Sequence, residues 1–298
     1  MPASDGAPQP GTPYPARTTM TNYGAQAVTD AQVDVSAPDG WTVHNTTPAS
    51  AARLGTNETL TTDWNVTPPA SADPGTYRLT ATATYHWGKK TEHRDSTLTV
   101  RVPYPPVQAP YRTFTSTEGS FGQSGQRFQI IGDGNDTYGS SNEYSAVYLP
   151  GAESSGTVAQ VRVTSQQETS DWAKAGIMVR NDITASGTSP GYLIVAVTPG
   201  HGYVVQWDSD GNGTLDSNSA PPNEGSGTAA YPSWLKLTRD GSSYTGWYST
   251  DGSTWNEIAT VDVPGVTATQ DVGMFMTSHN SGVQGEVDFD GFTTGASG

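Results

Sequence analysis

The 298-residue chain contains no cysteine. That single absence removes disulfides, thiol nucleophiles, thiolate zinc sites and iron–sulfur clusters. Charge is scarce as well: Asp, Glu, Lys and Arg together make up 14%, against about 25% in an ordinary globular domain. Positive charge is scarcest, with 14 Lys and Arg facing 29 Asp and Glu, for a net charge of −15. A broad surface for nucleic acid or anionic membrane needs the opposite sign, so neither is an expected partner. No apolar run approaches the ~18 residues of a membrane-spanning helix. No long window carries a helical period, and no repeat recurs at fixed spacing. Met1 is followed by Pro-Ala-Ser-Asp-Gly-Ala-Pro, not by a basic and then apolar signal region. The chain therefore reads as a piece of a longer exported polypeptide.

What is present points to β-structure. Eight Trp, fourteen Tyr and six Phe at low charge exclude a disordered composition. The 34 Gly and 21 Pro, with abundant Ser, Thr and Asn, supply turns. The first ~13 residues, rich in Pro, Gly and Ala, read as a flexible leader. Residues 14–102 show short alternating segments between turn signals. Ala31-Gln32-Val33-Asp34-Val35-Ser36 alternates up to Pro38-Asp39-Gly40, and residues 77–85 alternate after the Asp73-Pro74-Gly75 turn. Six or seven strands in ~90 residues predict an immunoglobulin-like sandwich. Residues 103–110 hold several prolines and read as an extended linker. Nine or more longer strands between 111 and 294, with Asp240-Gly241 and Asp251-Gly252 as hairpin-type turns, predict one large two-sheet jelly roll.

Few motifs carry chemistry. Asp208, Asp210, Asn212, Thr214 and Asp216, with Gly211 at the sixth place, match the start of a calcium loop, where alternate oxygens converge on a hard cation. The closing acid is missing (Ser219 stands there) and the flanks read as strands. A structural Ca2+ and a metal-free Asx-rich loop both stay open. Asp133-Gly134-Asn135-Asp136 with Asn142-Glu143 is a second acidic cluster, read either as a cation site or as a turn whose carboxylates cap amides. Residues 187–191 fit Gly-x-Ser-x-Gly, but no helix follows, so a loop is expected and not a nucleophile elbow. Five scattered histidines show no metal spacing. No phosphate loop and no prominent carboxylate pair occurs. Among aromatics that could stack on sugar rings are Tyr144, Tyr148, Trp172, Tyr203, Trp207, Trp247 and Trp255, although alternating aromatics in sandwiches are more often core. Ile177 and Val179 oppose Arg180, and Tyr203, Val205 and Trp207 oppose Gln206. Arg180 and Gln206 are therefore expected to line a polar concave face, where a guanidinium fork and an amide suit vicinal hydroxyls. A solvated face without ligand is the alternative.

Four blocks carry a resemblance over ~185 residues. They are Trp172-Ala173-Lys174-Ala175-Gly176-Ile177-Met178-Val179-Arg180, Trp234-Leu235-Lys236-Leu237-Thr238-Arg239, Tyr248-Ser249-Thr250-Asp251-Gly252-Ser253-Thr254-Trp255, and Val272-Gly273-Met274-Phe275-Met276-Thr277-Ser278-His279. Together they resemble concanavalin A-like lectin/glucanase modules of secreted bacterial carbohydrate enzymes. The resemblance implies that Asp136 and Glu143 occupy site positions. In the first half, Thr21-Asn22-Tyr23-Gly24, Ala37-Pro38-Asp39-Gly40-Trp41 and Pro74-Gly75-Thr76-Tyr77 resemble the small immunoglobulin-like domain associated with α-galactosidases and their carbohydrate-binding modules. The expectation is a monomeric, non-catalytic accessory region of a secreted, extracellular bacterial glycoside hydrolase. It would hold a covalently linked catalytic domain near glycan, with Arg180, Gln206, Asp136, Glu143 and Tyr144 as the sugar-binding residues. A glycan-cleaving site on the concave face, or a structural or protein-docking pair of sandwiches, stays open beside it.

Overall fold

A computed structural model describes residues 6–185, 187, 189–220 and 229–296, and these form 21 β-strands and no helix. The chain divides into two compact units at Tyr104/Pro105. The first holds β1 (Tyr14–Thr21), β2 (Val28–Ser36), β3 (Thr42–Asn45), β4 (Ser50–Leu54), β5 (Thr59–Thr67), β6 (Gly75–Trp87) and β7 (Lys90–Val102). These build a three-stranded sheet, β1-β5-β3, facing a four-stranded one, β4-β2-β6-β7. Alternation decides what enters the core: along β1, Tyr14, Ala16 and Thr18 are buried while Pro15, Arg17 and Thr19 are exposed. The Trp64 indole donates to the Thr18 hydroxyl at 2.8 Å, so the one polar atom that β1 sends inward is satisfied.

The second unit holds β8 (Arg112–Thr115), β9 (Gly119–Ser124), β10 (Arg127–Gly132), β11 (Ser145–Ser154), β12 (Thr157–Gln166), β13 (Lys174–Arg180) and β14 (Leu193–Thr198). It continues with β15 (Gly202–Trp207), β16 (Ser217–Ser219), β17 (Ser233–Asp240), β18 (Ser243–Ser249), β19 (Asn256–Asp262), β20 (Thr269–Thr277) and β21 (Gly285–Ala296). Two seven-stranded sheets, β19-β18-β17-β12-β21-β10-β9 and β16-β15-β14-β13-β20-β11-β8, share one core and make an all-β jelly-roll sandwich. In the first of these sheets the strands alternate: Leu235 and Leu237 of β17 point inward, Trp234 and Lys236 outward. In the second, every residue of β13 and β14 is buried, so both faces of that sheet are covered. Gly246 of β18 lets the sheets approach, because a Cβ there would collide with Val205 Cγ2 and lie 3.1 Å from Val195 Cγ2.

At one end of the shared core, Glu153 is fully buried and neither carboxylate oxygen has a hydrogen-bond partner. Burial pushes this carboxyl up to about 7, with Thr157 and Arg239 pulling it only partly back.

Two expectations change at the edges of the units. Within the expected flexible leader, Pro8 is buried and Gly11 N–H donates to Pro68 O at 3.0 Å; residues 1–5 lie outside the described residues. Most of the expected linker belongs to the second unit. Pro105 O accepts from Gln123 N–H at 2.8 Å, Gln108 N–H donates to Gln123 Oε1 at 2.8 Å, and Val107 packs on the core. Prolines lack a donor, but Pro105 still offers its carbonyl, and β9 supplies the partner.

Candidate functional site

The expected sugar face is the outer face of the fully buried sheet. Register pairs Met178 with Ile194 and Ile194 with Gln206, and Arg180 stands two residues from Met178, so Arg180 and Gln206 do share a face. That face is closed. Tyr144, Met178, Ile183, Tyr192, Leu215 and Phe275 belong to a second apolar cluster laid over it. The loops between β10 and β11, β13 and β14, and β15 and β16 cross here, joined by a Tyr138–Leu215 bridge.

Arg180 ties these loops together and is fully buried. Its Nε donates to Ser189 O at 2.9 Å and Nη2 to Gly213 O at 2.7 Å, while Nη1 reaches Tyr144 Oη at 3.1 Å and Asn142 Oδ1 at 3.3 Å. The guanidinium also lies 4.1 Å from the Tyr192 ring centroid. Tyr144 is fully buried and donates its hydroxyl to Ile183 O at 2.7 Å; burial raises its pKa. Gln206 is buried, with its Oε1 unpartnered. Arg180, Gln206 and Tyr144 thus stand where no saccharide reaches them. Alternation put the first two on the right face, but three distant loops cover it. Of residues 187–191, Thr188 lies outside the described residues, and the Ser189 hydroxyl accepts from Asp182 N–H at 3.0 Å.

The calcium-type loop closes on its own amides. Asp208 Oδ1 accepts from Gly211 N–H (2.8 Å) and Asn212 N–H (3.1 Å), and Oδ2 from Gly213 N–H (2.8 Å). Asp210 accepts from Asn212 N–H, Asn212 Oδ1 from Thr214 N–H, and Asp216 from Ser209 N–H. Burial raises the Asp208 pKa, whereas the Ser209 amide lowers that of Asp216. Both Asp208 oxygens are committed to backbone donors. Among the described residues no group of three or more His, Asp or Glu is placed to hold a metal ion.

The second acidic cluster has a different fate. Glu143 caps the loop, accepting from Asn135 N–H at 2.7 Å. Asp136 instead meets cationic and polar groups brought from far along the chain. Its Oδ1 accepts from Lys174 Nζ, which is almost fully buried, and its Oδ2 lies 3.3 Å from His279 Nε2. Burial lowers the Lys174 pKa and Asp136 opposes that shift. His279 holds the left-handed backbone (φ 51°), a conformation that costs energy for a residue with a Cβ, and its Nδ1 is 3.2 Å from Ser170 Oγ.

Ser170 Oγ in turn accepts from Trp172 N–H. The Trp172 indole is 39% exposed and stacks on His201 with centroids 3.8 Å apart and planes 19° from parallel. Lys174 Nζ sits 5.9 Å from its ring centroid. One side of the indole is thus fixed by an imidazole, and Asp136, His279 and Ser170 stand nearby as donors and acceptors. Trp172 and Asp136 were visible in the sequence; His201 and His279 were not, because 29 and 107 positions separate them from Trp172. The other candidate aromatics divide between the core and the outer face of the alternating sheet. Tyr148 and Tyr203 are buried, Trp207 packs on the shared core, and Trp247 and Trp255 flank Lys236 at 5.0 and 4.2 Å.

Residues 8–86 match the model of the NPCBM-associated, NEW3 domain of alpha-galactosidase. A 61-residue stretch, 20% of this chain, is 43% identical to a candidate endo-alpha-N-acetylgalactosaminidase of Renibacterium salmoninarum, and it spans 4% of that protein's length. Among solved structures, a functionally unknown protein from Saccharomyces cerevisiae aligns at 20% identity and a TM-score of 0.49, over 63% of this chain and 96% of its own. The GH43 protein BlXynB of Bacillus licheniformis aligns at 16% identity and a TM-score of 0.46, over 74% of this chain and 51% of its own. Among the described residues no helix is long and apolar enough to cross a membrane. Over residues 8–86 the first unit is thus similar to the NEW3 domain of alpha-galactosidase, and the chain spans only a small part of the length of the curated relative it matches.

Proposed function

We propose that the chain is a non-catalytic accessory region of a secreted glycoside hydrolase, and that its jelly roll binds glycan at the Trp172 rim in the manner of a concanavalin A-like lectin. The observation that carries this reading is the Trp172 indole, 39% exposed and stacked on His201, with Lys174 Nζ 5.9 Å from its ring centroid. A sugar ring has one C–H face that stacks on an indole and a rim of hydroxyls that Asp136, His279 and Ser170 can bond. Stacking on a ring already fixed in place avoids much of the ordering cost of binding. The buried Lys174 donates to Asp136 Oδ1 and orients it, so it acts as a positioning residue. Glu153, whose raised pKa would suit a general acid, is sealed in the core and can touch no substrate.

The contribution to hydrolysis is then proximity. A linked catalytic domain gains effective concentration of substrate without any change in its chemistry. Isolated affinity in the micromolar-to-millimolar range is sufficient for that role. The named relative suggests glycans bearing α-linked N-acetylgalactosamine. Affinity electrophoresis through gels containing desialylated mucin tests the reading: the chain should be retarded, and Trp172→Ala should remove at least tenfold of the affinity at unchanged thermal midpoint. Retardation equal in both proteins sinks it.

A further inference from the structure

The first unit is an incompletely closed sandwich. On its interior side β6 presents Leu79, Ala81, Ala83, Tyr85 and Trp87, paired across to Leu98, Ser96, Arg94, Glu92 and Lys90 of β7. Cover is lost step by step along this row. Leu79 and Ala81 are buried, Ala83 and Tyr85 half-buried, and Trp87 is 54% exposed. The opposite wall comes from Thr18 and Met20 of β1 and from the loop after it. Between them lies a cleft of about 790 Å3, within the roughly 300–1,000 Å3 usual for small-molecule sites. Its floor is Val28, Val33, Ala81 and Ala83, side chains too small to fill it.

The mouth is built of aromatic and polar groups. Tyr23 is 83% exposed, yet the turn that carries it is fixed. Asn22 Nδ2 donates to Gln26 O, Leu54 O and Gly55 O at 2.9 to 3.2 Å, and its Oδ1 accepts from Gly24 N–H at 2.9 Å. Glu92 and Arg94 face each other at 3.6 Å, so their charges balance. Flat apolar rings, nearly balanced charge and a rim of hydroxyls, amides and one guanidinium describe a neutral ligand with both a C–H face and many hydroxyl groups. We propose that this cleft is a second saccharide site, taking a neutral sugar chain with one ring against Trp87. A protein strand fits less well. β7 is the free edge, and it carries Lys90, Glu92, His93, Arg94 and Asp95 along its cleft half, where charge discourages strand pairing. The site is independent of the Trp172 rim.

The two sites can be separated in one titration of the full chain. Indole N–H resonances of Trp87 and Trp172, assigned with Trp87→Phe and Trp172→Phe, are followed while methyl α-N-acetylgalactosaminide and then desialylated mucin glycopeptide are added. The Trp87 resonance should move, and Trp87→Ala should weaken the titration that its cleft reports, read at the Tyr23 ring, by tenfold or more. Ala83→Phe, which fills the floor, should abolish the Trp87 shift. A shift at Trp172 alone overturns the cleft and leaves the functional proposal standing; a shift at Trp87 alone does the reverse, and no shift at either overturns both. A Trp87 indole already shielded from water exchange before sugar is added shows protein in the cleft, and also overturns the inference.

Discussion

Arg180 in the larger sandwich and Arg94 in the smaller one both stand on strands whose alternation puts a guanidinium on a sheet face, and their surroundings are opposite. Arg180 is fully buried, bonded to three loops and laid on Tyr192. Arg94 is exposed, with Glu92 and the neighbouring His93 carbonyl as its partners. Period-two alternation decides the face of a strand on which a side chain stands. Whether that face meets water depends on loops far away in sequence. In the jelly roll those loops bring Ile183, Leu215 and Tyr138 over the sheet; in the small sandwich Ala83 stays half-buried and Trp87 exposed among the described residues.

The contrast can be broken by substitution. Arg180→Ala should have the largest effect, about 3–5 kcal/mol by urea unfolding, because it strands the carbonyls of Ser189 and Gly213 and the Tyr144 hydroxyl in a closed layer. A loss below 1 kcal/mol would show that the layer is wetter than described.

Glu153→Gln comes next and is read by pH. The carboxyl is raised from 4.5 to about 7 in the folded chain, with Arg239 from β17, Tyr244 from β18 and Thr157 from β12 around it. Between those values the folded state holds a proton that the unfolded state releases. The contribution of this carboxyl to stability is therefore fully present below pH 4.5, falls as pH rises towards 7, and is lost beyond. At about 1.4 kcal/mol per pH unit the slope amounts to roughly 3 kcal/mol, and the Gln variant should lose it. An unaltered slope would place the titration elsewhere.

Gly246→Ala should cost about 1–3 kcal/mol, through the contact of its new Cβ with Val205 and Val195. The smallest effect belongs to Arg94→Ala, within about 0.5 kcal/mol in the same unfolding assay, since its ion pair is exposed. A large loss there would mean that the cleft is closed after all.

Much of the architecture was legible because strands write themselves locally. The expected hairpin-type turn at Asp240-Gly241 joins β17 to β18, and the all-β pair of sandwiches follows from turn spacing. β9 is hard to read locally: Gly-Ser-Phe-Gly-Gln-Ser is short and polar, and it is a strand through its pairing with β10. The Asp208 motif shows a different limit. Oxygens at alternate positions suit a cation and suit an amide-capped loop equally well, and the sequence does not show that the loop's own N–H groups point at the Asp208 carboxylate. Trp87 had a signal that went unused, since it continues the parity of Leu79, Ala81, Ala83 and Tyr85 past the end of the alternating segment. The pairing of His279 with Asp136 had none, because only the folded chain brings the two together.

The clasp formed by residues 105–111 has a practical corollary for anyone recombining these modules. Tyr111 lies edge-on to Phe128 at 4.8 Å and to Phe292 at 6.3 Å, so the segment before β8 acts as a lid over one corner of the jelly roll. A graft cut where the prolines end would remove Val107 from the core and the Pro105 and Gln108 bonds to Gln123 that hold the segment before Tyr111. One cut between Tyr104 and Pro105 takes the lid with its box, and that junction is the natural seam for domain shuffling.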